Sequence, residues 1–371
     1  MPDQSSSSPT ARVAFGEGFL KDCWWFAALS GDLKAGALQR YVILGEPVLL
    51  GRDLDGKAYA IRDICPHRAA PLSAGEMIRD GGDSKNGGGA CVVQCPYHGW
   101  TFDTSGTCTS VPSLTSDQQM DVERIKVRRY DVREQQGIVW IYITADARRP
   151  AEPDHEPPIL PGVVGGAPII VETMDFDSHI DHAVVGLMDP AHGPYVHQQW
   201  WWRSSKKQLE KSKAFAPTEY GFAMLRHAPS KNSRAYRILG GAPATEITFR
   251  LPGIRYEHIV IGERQVLGLT CLTPIDEKTT RITQIFWSDH GLFRLISPLF
   301  RQGAKAFLKQ DGDMVNLQNE GLKYDPSLLW IDDADTQAKW YQQLKKEWMA
   351  ARAEKRPFAN PVKPATLKWT S

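Results

Sequence analysis

Two short loops constrain this chain more than anything else in it. Cys65-Pro-His67 and Cys95-Pro-Tyr-His98 each hold one cysteine and one histidine close together on a Pro-stiffened turn. Between them they offer two thiolates and two imidazoles, from loops separated by 27 residues. Two occupants suit that set: one tetrahedral zinc, or a [2Fe-2S] cluster with both cysteines on one iron and both histidines on the other. Zinc sites pair like residues within a loop, and mixed Cys-His loops fit that rule poorly. Imidazoles in place of two thiolates remove negative charge and raise the reduction potential. The six cysteines, at 23, 65, 91, 95, 108 and 271, are too few in 371 residues for a disulfide framework. Cys91 and Cys108 are expected to pack as small buried hydrophobes.

A second pattern lies further on: Asp189-Pro-Ala-His192-Gly-Pro-Tyr-Val-His197. In a regular helix, residues 192 and 197 sit about 500° apart, roughly 140° off a common face. Gly193-Pro194 between them is expected to distort the helix and turn His197 back toward His192. Two histidines and one carboxylate on one face, with open positions, describe a mononuclear non-haem Fe(II) site that binds O2. The expected carboxylate is Asp311, in Lys309-Gln-Asp-Gly-Asp-Met-Val-Asn-Leu-Gln318 on a predicted helix. Asp311 and Gln318 are about two turns apart and share a face, and Asp313 is the competitor on another side. Asp189, three residues before His192, is placed to hold that ring, and its alternative is a helix cap beside Pro190. Trp200-Trp-Trp202 reads as packing, and His179 and His182 as satisfied helix histidines.

At roughly 150 residues per domain, the length suggests two domains. Lys and Arg number 44, Asp and Glu 43, so the net charge of +1 gives no footprint for nucleic acid or an acidic membrane surface. No apolar run approaches the roughly 18 residues of a membrane span. The Ser- and Pro-rich start has no basic region followed by an apolar stretch, so the expected compartment is the reducing cytoplasm. Residues 1–18 read as a disordered leader and 19–147 as a β-rich domain. The Pro-rich 148–162 reads as a linker, and 163–371 as an α+β catalytic domain. Strands are predicted at 41–50, 59–62, 137–143, 244–250, 256–261, 266–272 and 280–287, with helices near 177–192, 293–320 and 335–354. The Gly-rich 80–90 stretch reads as a surface loop.

Cys65-Pro-His67-Arg68, Cys95-Pro-Tyr-His98-Gly-Trp100 and the Asp-x2-His-x4-His run, in this order, resemble the alpha subunits of Rieske non-haem iron ring-hydroxylating oxygenases over about residues 20–325. The resemblance implies an all-β Rieske domain followed by a helix-grip domain, an antiparallel sheet with a long helix. It implies Cys65, His67, Cys95 and His98 on a [2Fe-2S] cluster, and His192, His197 and Asp311 on the mononuclear iron. It also implies a head-to-tail homotrimer in which Asp189 bridges His98 of one subunit and His192 of the next. Ala70 and Tyr97 stand where respiratory Rieske proteins carry a disulfide, so that bond cannot form. Gly186 stands where many members have Asn. The modest length is similar to that of the alpha-only O-demethylases, which favours monooxygenation of a small aromatic substrate, with O- or N-dealkylation, over cis-dihydroxylation. A Rieske electron-transfer or ligand-binding protein without oxygenase activity is the alternative of another class. No dinucleotide fingerprint follows a strand, so electrons from NAD(P)H are expected through a separate reductase, with a ferredoxin. Lys345, Lys346, Arg352 and Lys355 are a candidate face for that ferredoxin, or else a solvated helix face.

Overall fold

A computed structural model describes residues 15–80, 89–148, 152–162, 164–197, 209–229 and 242–371. Most of the expected leader, the core of the Gly-rich stretch, part of the linker and Trp200-Trp-Trp202 lie outside the described residues.

The first half is built from two antiparallel sheets. Six strands form one, in the order 23–29, 138–143, 129–135, 58–62, 46–52, 38–43. Its second strand, Ile138–Ile143, is buried along its whole length, as an uninterrupted apolar run requires. The expected strand over 41–50 is in fact two, Leu38–Ile43 and Glu46–Arg52. They turn through Leu44 (φ 54°) and Gly45 (φ 75°), and Gln136 and Gly137 repeat the device before Ile138. Such primed turns match the strand twist, but a left-handed Leu or Gln carries no sequence signal for them. The second sheet has four short strands, 76–79, 91–94, 101–103 and 108–110, and carries both Cys-His loops at one end.

The second half wraps a long helix over an eight-stranded sheet. The strand order is 170–176, 279–288, 264–276, 254–261, 244–250, 221–227, 210–218, 365–370, antiparallel throughout. Helix α1 spans Ile180–Met188, α2 Gly193–Val196, α3 Ser297–Leu322 and α4 Thr336–Ala353. Leu308 and Val315 are the buried residues of α3, so one narrow stripe holds it to the sheet. At Gly312 an added Cβ would come within 3.3 Å of the Phe176 ring, so the missing side chain lets α3 approach the edge strand closely.

The halves are joined by shared hydrogen bonds. The Leu44-Gly45 turn donates to the carbonyls of Pro274 and Ile275 in the large sheet, at 2.8 and 2.7 Å. Asp181 of α1 is fully buried and accepts from Gly16 N, Tyr341 Oη and Lys345 Nζ, the last at 2.6 Å. Residues 15–18, expected in the leader, are thus tied to the core, because a buried carboxylate needs every donor within reach. The same contact removes Lys345 from any ferredoxin-facing patch, and Arg352 is engaged with Asp154. His179 is buried and caps α1, accepting from Asp181 N.

Candidate functional site

The two Cys-His loops are one design used twice. In each, the cysteine N–H donates to the carbonyl five residues on: Cys65 to Ala70 at 2.9 Å, Cys95 to Trp100 at 2.8 Å. In each, the residue four places after the cysteine donates back to the cysteine carbonyl and is left-handed, Ala69 with φ 60° and Gly99 with φ 72°. Cys65 and Cys95 are buried, while His67 and His98 face outward with ring centroids 4.6 Å apart. The His67 ring stacks on Trp100, and Tyr97 lies over His98. Asp63, at the base of the first loop, is fully buried and accepts from Ser73 N and Oγ. All six cysteines are free. Among the described residues, two sets bring three ligand atoms within 4.8 Å of one another: His192, His197 and Asp311, and Asp53, Asp55 and Cys91. The four loop residues are not such a set, which suits the wider cage of a two-iron cluster over a single tetrahedral ion. The Asp53 set is already engaged: Asp53 closes a turn by accepting from Asp55 N and Lys57 N, and Asp55 pairs with Arg79.

The second site is assembled across the fold. The helical break falls earlier than Gly193-Pro194: α1 ends at Met188, Asp189 is its C-cap, and Pro190 prevents continuation. Pro194 instead sits in the first turn of α2, where its missing N–H is not needed. His192 precedes that single turn and His197 follows it with φ −99° and ψ 69°, which swings its ring back. The two Nε2 atoms face each other at 3.2 Å. Asp311 Oδ1 from α3 lies 3.3 Å from His197 Nε2 and 3.8 Å from His192 Nε2. Cis ligands with bonds of about 2.1 Å at right angles stand about 3 Å apart, so the three atoms describe one face of an octahedron. Asp313 turns outward and pairs with Lys309 at 2.7 Å.

Each histidine is held from behind. Asp189 Oδ2 lies 3.5 Å from His192 Nδ1, and Asp189 Oδ1 accepts from Ala191 N at 2.7 Å, so this residue serves both as ring partner and as cap. Gln310 Oε1 lies 3.0 Å from His197 Nδ1. Gln310 was not singled out in the sequence, although its place beside Asp311 is the available signal. Burial raises the Asp311 carboxyl to about 6, against the lowering pull of His192 and Arg255. For His192, burial opposes the imidazolium, but Asp189 and Asp311 outweigh it and the pKa is raised. Two facing imidazole nitrogens and a destabilised carboxylate are a donor set that a divalent cation would satisfy. A cavity of about 350 Å³ opens over them, with Met224, Ile247, Phe286 and Phe307 in its apolar wall. Gly268 leaves room for the Phe286 ring, which would lie 2.9 Å from an added Cβ.

Residues 23–131 match the Rieske [2Fe-2S] domain family, and residues 177–351 the vanillate O-demethylase oxygenase C-terminal domain family. A 4beta-methylsterol monooxygenase of Methylococcus capsulatus is 28% identical over 288 residues, covering 75% of this chain and 71% of that one. The oxygenase component of dicamba O-demethylase from Stenotrophomonas maltophilia is 33% identical over 185 residues, and the iron-sulfur subunit of a toluene-4-sulfonate monooxygenase system from Comamonas testosteroni 31% over 189. Those two alignments span about half of either partner, 48% of this chain in both cases and 48% and 47% of the relatives. Dicamba monooxygenase bound to dicamba shares the fold, with a TM-score of 0.69 at 22% identity over 91% of this chain and 100% of that one. Among the described residues, no helix is long and apolar enough to cross a membrane. The first half of the chain matches one family and the second half the other, and the chain belongs to the Rieske non-haem iron oxygenases, as a terminal-oxygenase alpha subunit.

Proposed function

We propose that this oxygenase performs monooxygenation of a small aromatic substrate, with O- or N-dealkylation where the attacked carbon bears oxygen or nitrogen. Cys65, His67, Cys95 and His98 would hold the [2Fe-2S] cluster, and His192, His197 and Asp311 the mononuclear Fe(II). When bound, the cluster supplies electrons singly and the lone iron supplies activation of O2. The observation that carries this reading is the face formed by His192, His197 and Asp311 at the floor of a cavity with apolar walls.

The chain's own residues then have definite tasks. Asp189 and Gln310 accept the Nδ1 protons of His192 and His197, which fixes the tautomers that leave both Nε2 atoms free. Phe286, Phe307, Met224 and Ile247 exclude water from the space over the site and take the substrate's ring. The outward-facing His67 and His98 and the half-buried Asp189 favour a homotrimer in which His98 of one copy approaches Asp189 of the next. The relatives' names, oxygenase component and iron-sulfur subunit, mark them as parts of multicomponent systems. A ferredoxin or reductase drawing on NAD(P)H is the corresponding partner here, and the six free cysteines favour the cytoplasm. We assign 19–147 to the Rieske unit, 148–162 to the linker and 163–371 to the catalytic unit.

Metal and sulfide analysis tests the reading. Purified protein should carry two irons and two sulfides in the cluster and about one further iron. His192→Ala should remove only that further iron. Reduced protein supplied with O2 and a panel of methoxyarenes should release formaldehyde. A cis-diol product would instead establish dihydroxylation, and a cluster without the further iron would leave an electron-transfer protein.

A further inference from the structure

The wall of the cavity over His192, His197 and Asp311 holds buried polar atoms that have no partner among the described residues. Thr245, on the strand Ala244–Arg250, is 2% exposed and its Oγ1 has no hydrogen-bond partner among the described residues. Gln284, on Thr279–Ser288, has a buried Oε1 without a partner among the described residues. Both line the cavity. Buried polar atoms are nearly always paired, so two orphans in one wall mark a place prepared for a ligand.

Arg255 lines the same cavity and gives the ligand its character. Among the described residues its ionic neighbour is Glu257, at 3.9 Å, and none accepts a hydrogen bond from its guanidinium. An arginine has five N–H donors in a planar fork that matches a carboxylate. The strand register sets Arg255 opposite Thr270, and Thr270 opposite Gln284, so Arg255 and Gln284 project from one face of the sheet, two strands apart. Arg255 is near enough to Asp311 for its charge to act on that carboxyl. The two lysines in the wall are already engaged, Lys211 with Ser371 Oγ and Lys213 with the Ala228 carbonyl.

We infer that Arg255 anchors an anionic oxy group on the substrate, a carboxylate or sulfonate, and so determines specificity for charged over neutral arenes. Gln284, on the same face two strands from the anchor, offers an acceptor to a hydroxyl on the same molecule. Thr245 marks the far end of the site: it pairs with Ile259, four residues along the strand from Arg255, about 13 Å away. This inference rests on the oxygenase reading of the site, since it assumes that the cavity is the substrate's.

Calorimetric titration of the metal-loaded protein tests it without turnover. The probes are 3-methoxybenzoate, 3-methoxybenzenesulfonate and methyl 3-methoxybenzoate. The acids should bind at least tenfold tighter than the ester. Arg255→Gln should erase that ratio while leaving the ester's affinity within about twofold, and Arg255→Lys should retain part of it. Thermal unfolding of both variants checks that they fold. An ester that binds as tightly as the acid overturns the anchor, as does a ratio that survives Arg255→Gln, or failure of both anions to bind at 10 mM. Formaldehyde release is scored separately. Oxygenation of the ester with no anion bound defeats the anchor and leaves the oxygenase, whereas anions bound through Arg255 with no oxygenation of any probe defeats the oxygenase reading.

Discussion

The two candidate metal sites are built on opposite plans. The Cys-His site is local: two six-residue loops with the same backbone hydrogen bonds, buried sulfurs and exposed imidazoles. The His-His-Asp site is distributed: two candidate ligands flank one turn of helix, and the third comes from α3, far away in sequence but within 3.3 Å of His197 Nε2. A site that gives electrons to a partner must show an edge to it, whereas a site that handles O2 must keep water out. The exposed His67 and His98 and the buried His197 follow that division.

Crossing the two sites should give the largest effects. Cys95→Ala should abolish the visible absorption of the cluster and remove two irons and two sulfides. The four-stranded sheet around it should unfold at lower temperature, because bound metal contributes folding energy. Asp311→Ala should leave the colour intact, remove about one iron and reduce product formation below detection. Iron, sulfide and absorbance measured on both variants would break the contrast if either substitution emptied both sites.

The residues behind the histidines come next. Asp189→Asn should keep both metals yet lower turnover on the order of a hundredfold, because a neutral amide is a weaker acceptor for the Nδ1 proton of His192 than the carboxylate. Normal turnover would refute a bridging role. Gln310→Leu removes the partner of His197 Nδ1 and should weaken Fe(II) binding roughly 10- to 100-fold, with Gln310→Glu restoring it. Equilibrium dialysis against Fe(II) reads this directly. Together the pair asks whether a carboxylate behind one ring and an amide behind the other have different tasks.

The difference in plan also explains what could be read from the chain. The two Cys-His loops were legible as candidates because cysteine, proline and histidine spacing is itself the structure. The expectations for 244–250 and 335–354 agree with Ala244–Arg250 and Thr336–Ala353, since period-2 and helical patterns are local as well. Asp311 was separable from Asp313 only by helical phase, and the Lys309–Asp313 pair shows which side is solvent. The break before His192 was misplaced because Pro194 can either end a helix or begin one, and the cap at Asp189 decides between them. Arg255 and the Asp181–Lys345 contact were invisible because each depends on strands or helices far apart in sequence, and Gln310 had only its place beside Asp311 to mark it.

The smallest effect probes the repeated loop. Its fourth position after the cysteine is left-handed in both copies, yet one holds Ala69 and the other Gly99. A left-handed L-residue costs roughly 1–2 kcal/mol, and glycine gives back roughly 0.5–1 kcal/mol in unfolded-chain entropy. Ala69→Gly should therefore stabilise the domain by about 0.5–1 kcal/mol, and Gly99→Ala should destabilise it by a similar amount. A Cβ at Gly99 would meet Pro112 Cγ at 3.4 Å, an ordinary contact, so the second change tests backbone strain with little packing penalty. Denaturant midpoints of the cluster-loaded protein measure both. Equal and opposite shifts would mean that the loops are energetically the same device; a neutral Ala69→Gly would mean that the first loop relaxes its strain elsewhere, with the buried Asp63 at its base the first place to look.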